Sequence, residues 1–204
     1  TIPTAMRAFA SMSEKWGKLG FDALLAPTIH YAETGVPVAP RVAFDWVDCA
    51  AMLQDTAKKH YLISGHVPKV GDIFAAPGQA EVLRRVATDG IKAFYEGEIA
   101  DDMLEALRKH GGTHTAEDFA NVSSNQTDPI NGTYKGTDLF EHPPNGQGAT
   151  AILMLNILKH FDIAAMDPFG TQRAHIEAEA AKLAYDARNR FLADPSHTRK
   201  LDHM

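Results

Sequence analysis

Helical periodicity, interrupted by glycine and proline, runs through almost the whole sequence and constrains the fold more than any other feature. Between the breaks, apolar residues recur three or four positions apart, a spacing that places them on one face of a helix. The spacing predicts helices over residues 3–19, 22–35, 41–61, 77–90 and 98–112, and then from 148 to about 160 and from 171 to about 192. Short β-compatible segments occur around Gly136. The sequence therefore predicts a helix-rich α+β fold with a small β contribution near 133–142.

Two features of the remaining segments belong to the same prediction. Thr115 and Asp118 lie three positions apart just ahead of an apolar residue, the arrangement of a capping box at the start of a helix. The proline-punctuated VPVAP after Gly35 and the segment ISGHVPKVGD have no helical period and are predicted to be connectors.

Composition sets the size and the class of the protein. The chain has 204 residues, of which 45% are hydrophobic, enough for one core or for part of a larger core that another chain completes. We expect residues 1–204 to form a single segment. The formal net charge is −6 and Lys and Arg are not clustered, which argues against nucleic acid as a partner. No apolar run approaches the roughly 20 residues of a membrane span, so we expect a soluble chain that does not bind membranes, in a cytoplasmic, periplasmic or secreted compartment.

A glycine-rich turn before residue 149 raises the question of a dinucleotide site. The stretch HPPNGQGATAILMLNIL has Gly146, Gly148 and Ala151 at the spacing of the fingerprint that holds a pyrophosphate at a helix N-terminus. That fold also needs a buried strand running directly into the glycines and a second parallel strand after the helix. Pro143 and Pro144 interrupt the first requirement, and DIAAMDPFGT, which follows the helix, does not meet the second. The pattern favours a tight turn with close helix packing.

The last helix and the single cysteine also carry side chains that occur in chemical sites. The last helix carries charged or metal-binding side chains on one face, namely His175, Glu179, Lys182, Asp186 and Arg190. A lysine in such a row disfavours a metal, so the face is interpreted as charge pairs such as Asp186 with Arg190. Cys49, the single cysteine, lies in the apolar FDWVDCAAML and is predicted to be a buried structural thiol.

Five segments, in order, give the chain a resemblance to one enzyme family. TIPTAMRAF, LLAPTIHYAETGVPVAP, the long stretch from GDIFAAPGQ to THTAEDFA, PPNGQGATAILMLNIL and HIEAEAAKLAYDARNRFLADP resemble the corresponding segments of γ-glutamyltranspeptidases. These enzymes are N-terminal nucleophile hydrolases, a group that also contains cephalosporin-acylase-like members. PPNGQG stands where transpeptidases have PPSSGG, a departure that resembles the acylase-like branch.

The resemblance implies that residues 1–204 are the middle and later part of a large subunit, in the helix-rich part of an αββα sandwich. Family precursors cleave themselves, and the small subunit then begins with the nucleophilic Thr. Thr1 opens the sequence but is followed by Ile2 and Pro3, which match an interior segment, so Thr1 is not expected to be the nucleophile. The family's substrate-gripping arginine would precede Thr1 and its oxyanion donors would follow Met204. We therefore expect no catalytic residue within this chain and no metal.

The same resemblance implies the substrate and the partners. The expected substrate is a small molecule with a γ-glutamyl or related side-chain amide, and the reaction needs no cofactor. The expected partner is the small catalytic subunit of the same precursor, which would make a heterodimer with this chain. The resemblance also allows a homodimer of two such heterodimers. Asn145 and Gln147 are the candidate substrate-binding residues, with bracing of the turn as the favoured role. A stand-alone helical binding module without catalysis is the alternative function.

Overall fold

The computed structural model describes residues 2–54 and 56–196, which divide into two compact units, Thr1–Ser124 and Asn125–Met204. Helices dominate both units, as the sequence predicts. The first unit contains α1 Ala5–Trp16, α2 Phe21–Thr34, α3 Pro40–Ala50, α4 Ala57–Tyr61, α5 Pro77–Asp89, α6 Lys92–Tyr95, α7 Glu98–Lys109 and α8 Ala116–Ala120. The second contains α9 Gly148–Leu158, a 3₁₀ helix Ile163–Ala165 and α10 Thr171–Phe191.

The ends of several helices follow from local chemistry. Pro77 opens α5 at the position where a missing N–H costs nothing, and Gly90 ends it with a φ of +81°, a conformation that glycine adopts without steric cost. The capping box before α8 is confirmed, because the Thr115 hydroxyl accepts from the Asp118 N–H and the Asp118 carboxylate accepts from the Thr115 N–H. The hydrogen bonds that the Asp118 carboxylate accepts from the Thr115 N–H and from the Thr115 hydroxyl lower its pKa.

One predicted helix is in fact two. The expected helix over 41–61 ends as α3 at Ala50, where the next turn tightens to i→i+3 hydrogen bonds, and it restarts as α4 after Thr56. Thr56 stands at the N-cap of α4 without a side-chain hydrogen bond, so the break follows from the tightening of the backbone after Ala50. The prediction for Cys49 was also wrong, because this thiol lies exposed near the end of α3. The apolar residues of α3 recur on one face of the helix, a pattern typical of burial. Phe44 on this helix is nevertheless 72% exposed.

A small sheet forms at the predicted connectors, with one strand inside VPVAP and the other directly after ISGHVPKVGD. Strand β1 Val36–Pro37 pairs antiparallel with strand β2 Ile73–Phe74, and the Val38 N–H donates to the Asp72 carbonyl at 2.9 Å. Gly35, with a φ of +83°, turns the chain from α2 into β1. A strand of two residues is too short to show an alternation of polar and apolar side chains. Only its hydrogen-bonded pairing with a strand distant in the sequence reveals it.

The core of the first unit lies between α6, α7 and α8. Its buried members are Tyr95, Ala100, Leu104 and Phe119, and helix α2 packs separately against α5. The Tyr95 hydroxyl accepts from the Arg7 N–H at 3.0 Å and donates to the Pro3 carbonyl at 2.8 Å. Burial raises the pKa of Tyr95. Arg7 lies in the first turn of α1, where backbone N–H groups have no partner within the helix, so Tyr95 caps α1 from a distant part of the chain.

The second unit is a hairpin and two long helices around a smaller core. Strand β3 Ile130–Tyr134 pairs antiparallel with strand β4 Thr137–Glu141, β3 packs on α9, and α9 packs on α10. Leu158, Ile163 and Ala180 form the buried centre. Within the described part of the chain, none of the helices combines the length and the apolar character needed to cross a membrane.

Candidate functional site

The β hairpin next to the glycine-rich turn is sharply defined. Its two loop residues, Lys135 and Gly136, have φ angles of +48° and +82°, the left-handed pair that a type I′ turn requires. Thr133 lies opposite Asp138, and the Thr133 hydroxyl donates to the Asp138 carboxylate at 2.6 Å. The β contribution predicted near 133–142 is thus confirmed, although β3 begins slightly earlier, at Ile130.

The turn from the hairpin into α9 is built on close approach. The Gly146 N–H donates to the Pro143 carbonyl at 3.1 Å, which reverses the backbone. A Cβ on Gly148 would meet the His142 carbonyl oxygen at 2.7 Å and also the Glu141 side chain, so only glycine fits there without displacement. Strand β4 is antiparallel to its partner, and a 3₁₀ helix and α10 follow α9. The tight-turn interpretation is confirmed, and the described residues lack the second parallel strand of a dinucleotide-binding unit.

Asn145 and Gln147, the two candidate binding residues, lie on this turn and are both exposed. Neither side chain makes a hydrogen bond to the part of the chain that the structure describes. The Gln147 main-chain carbonyl accepts from the Thr150 N–H at 2.9 Å and thereby tightens the start of α9. Both amides thus lie exposed on the same turn, without a hydrogen-bond partner among the described residues.

A cavity of about 350 Å³ lies between β3 and α9, close to this turn. It is lined by Ile130, Asn131, Pro144, Ala149, Ile152, Leu153 and Asn156. The lining is apolar apart from two carboxamides, and the Lys159 ammonium donates to the side-chain amide oxygen of Asn156 at 3.1 Å. These side chains offer shape and amide hydrogen bonds but contain no acid, base or nucleophile. No sequence pattern predicts this cavity, and its one signal is Asn156 inside the apolar run AILMLNIL.

The charged face of α10 is a set of ion pairs, as predicted. Asp186 accepts from Arg190 at 3.0 Å, and Glu179 accepts from Lys182 at 2.8 Å, which lowers the pKa of Glu179. Among residues 2–54 and 56–196, the structure brings together no group of three or more His, Cys, Asp or Glu side chains suited to a metal ion. The charge pairs lie on the exposed surface of the helix, where solvent screens their attraction.

A second cleft, in the first unit, is lined by charged side chains that form ion pairs with one another. Arg85 on α5 donates to Glu98 on α7 at 2.6 Å and to Glu81 at 3.0 Å. Hydrogen bonds from Arg85 and then from Arg84 lower the pKa of Glu81. This cleft of about 590 Å³ therefore has a structural explanation: its arginine links α5 to α7. Thr1, the remaining residue considered for chemistry, lies outside the described residues.

Comparison with known proteins gives a consistent result over the whole chain. The family model described as gamma-glutamyltranspeptidase matches residues 1–204. The glutathione hydrolase-like YwrD proenzyme of Bacillus subtilis is 28% identical over 198 residues, which are 96% of this chain and 38% of that protein.

Two solved structures share the fold. The γ-glutamyltranspeptidase of Helicobacter pylori superposes with a TM-score of 0.86 at 27% identity, over 97% of this chain and 58% of that one. The cephalosporin acylase of Bacillus halodurans gives 0.84 at 34% identity, over 97% of this chain and 38% of that one. The chain spans about a third of the length of the curated relatives it matches.

Proposed function

Because the chain belongs to the γ-glutamyltranspeptidase family, we propose that it is a large-subunit segment of an amide-cleaving hydrolase or acyltransferase. The observation that carries the proposal is the family match over all of residues 1–204, which together span only about a third of the curated relatives. Residues 1–204 act as one segment of that subunit, and the two compact units are its parts.

The reaction proceeds at a threonine of the small catalytic subunit, made from the same precursor. Its free α-amine accepts the hydroxyl proton as the oxygen attacks the carbonyl of a γ-glutamyl or related side-chain amide. An oxyanion hole stabilises the tetrahedral intermediate, the amine leaves with a proton, and an ester to the threonine remains. Water or an acceptor amine then takes the acyl group. Relatives are named as glutathione hydrolase and as acylase proenzymes, so both substrate classes stay open.

The role of this chain in that enzyme is structural. Its helices pack on one face of an αββα sandwich, and the segment 133–142 adds strand to the sheet that presents the nucleophile. The confirmed hairpin and the packing of β3 on α9 support this placement, since the hairpin brings a rigid, helix-backed edge to the assembly. Asn145 and Gln147 brace the turn through their backbone, and they contribute to a substrate pocket only if the partner chain reaches them.

The test compares the precursor with the isolated chain. A gene encoding this segment is expressed with its continuation, and we expect two bands on a denaturing gel and hydrolysis of a γ-glutamyl anilide or an acylated cephalosporin. The isolated chain of residues 1–204 is expected to be inactive on both substrates. Substitution of the first residue of the small subunit by alanine is the control and should abolish processing and activity together. An active isolated chain, or a precursor that stays whole yet active, would overturn the proposal.

A further inference from the structure

The sequence contains two Asn-Gly pairs, Asn131–Gly132 and Asn145–Gly146, and the structure places them in different backbone surroundings. An asparagine followed by glycine is prone to react with its own backbone, because the next nitrogen can attack the side-chain amide and glycine has no Cβ to obstruct the approach. Both asparagines are exposed. Exposure therefore does not distinguish the two pairs, and any difference in their reactivity comes from the backbone.

The first pair lies inside β3 and is held by the hairpin. Tyr134 and Thr137 flank the two-residue loop and pair with each other, and hydrogen-bonded pairs then alternate along an antiparallel hairpin. Gly132 and Leu139 are therefore also a hydrogen-bonded pair, and one of their two hydrogen bonds uses the Gly132 N–H. Gly132 also packs closely on α9, because a Cβ at this position would meet the Ile152 side chain at 2.7 Å. The nitrogen that would attack is thus fixed in the strand ladder.

The second pair lies on the turn between β4 and α9, outside any strand or helix. The Gly146 N–H donates one hydrogen bond, to the Pro143 carbonyl three positions earlier at 3.1 Å. The Asn145 carboxamide has no hydrogen-bond partner among residues 2–54 and 56–196, so no contact holds it away from the Gly146 nitrogen. Freeing this nitrogen breaks one local hydrogen bond, whereas freeing that of Gly132 opens a paired position in the middle of the hairpin.

We propose that Asn145 is a self-modification site, which converts to aspartate and isoaspartate in the folded chain while Asn131 stays intact. The Gly146 backbone nitrogen gives up its proton and bonds to Cγ of Asn145. The bond from Cγ to the side-chain nitrogen breaks, and ammonia leaves with that proton. Water then opens the resulting cyclic imide, at the side-chain carbonyl to give aspartate or at the backbone carbonyl to give isoaspartate. Water is the sole co-reactant, and no group is oxidised or reduced.

The modification adds a carboxylate just ahead of α9. The first turn of α9 has no acidic residue, and Gln147 at its N-cap makes no side-chain hydrogen bond to it. A negative charge near a helix N-terminus is favourable, so the aspartate form is compatible with the fold. Isoaspartate instead lengthens the backbone by one carbon, in a turn so close that a Cβ on Gly148 would meet the His142 carbonyl oxygen at 2.7 Å. We therefore expect the isoaspartate form to melt at a lower temperature than the aspartate form.

Ageing of the chain under two conditions tests the proposal. The chain is incubated at neutral pH, once folded and once in urea, and peptide mass spectrometry follows the conversion of amide to acid at each asparagine. In the folded chain we expect Asn145 to convert at least about tenfold faster than Asn131, a difference in barrier of roughly 1.4 kcal/mol. In urea the hairpin is lost and the two rates should converge. The comparison separates the effect of the fold from that of the neighbouring residues.

Two matched variants give an independent readout by anion-exchange chromatography. Asn145→Gln and Asn131→Gln each keep the carboxamide but lengthen the side chain, which disfavours ring closure. The unmodified chain and Asn131→Gln should accumulate an acidic species at the same rate, at the elution position of Asn145→Asp, whereas Asn145→Gln should not. Equal or faster conversion at Asn131 in the folded chain, or no conversion at Asn145, would overturn the inference. Each of these outcomes leaves the proposed function standing.

Discussion

The capping of α1 by Tyr95 makes a prediction whose size follows from the structure. The buried hydroxyl satisfies the Arg7 N–H and donates to the Pro3 carbonyl, 88 and 92 residues away. Each such bond contributes about 0.5–1.5 kcal/mol net, so Tyr95→Phe should lower the free energy of unfolding of the first unit by about 2 kcal/mol. The phenylalanine ring retains the edge contact of Tyr95 with Phe94, whose ring centroid lies 5.0 Å away.

Urea unfolding monitored by circular dichroism measures this loss, and amide exchange at Arg7 locates it. Tyr61→Phe is the control, since Tyr61 is exposed and its change should be neutral. The raised pKa of Tyr95 adds a pH test. Its stabilisation is complete below the unfolded pKa of about 10 and is lost as pH rises through the folded value, so Tyr95→Phe should flatten the alkaline decline. A loss below about 0.5 kcal/mol, or an unchanged exchange rate at Arg7, would refute the cap.

Three further changes probe other parts of the chain. Gly148→Ala places a Cβ against the His142 carbonyl and should destabilise the second unit by about 1–3 kcal/mol. The control is Gly78→Ala, whose Cβ meets no neighbouring atom and which should be neutral or stabilising in thermal unfolding. Equal melting temperatures of the two variants would contradict this. Because the pKa of Asp118 is lowered in the folded chain, its carboxylate stabilises the fold above the unfolded pKa of about 4, and this stabilisation is lost in acid. Asp118→Asn should therefore reduce the acid-induced loss of stability in a pH series of urea titrations. An unchanged acid limb would count against the cap. Phe44→Ser should reduce self-association of the isolated chain in light scattering without changing its helicity, because Phe44 is largely exposed; a monodisperse unmodified chain would refute this expectation.

One part of the candidate site could be predicted from the sequence and another part could not. Gly146 and Gly148 were assigned to a tight turn because two prolines precede them, and the close approach to His142 bears this out. The cavity between β3 and α9 was not predicted. It forms where β3 packs on α9, and the side chains that β3 presents there depend on the register of the hairpin.

Features determined by neighbouring residues could be predicted from the sequence by itself. Helix α5 between Pro77 and Gly90, the capping box before α8 and the ion pairs on α10 all depend on residues within a few positions of each other. Tertiary structure alone decided the β1–β2 pairing, the exposure of Cys49 and the capping of α1 by Tyr95. The physical reason is range: capping, periodicity and turn preference act over one or two helical turns, whereas these contacts form only after long loops close.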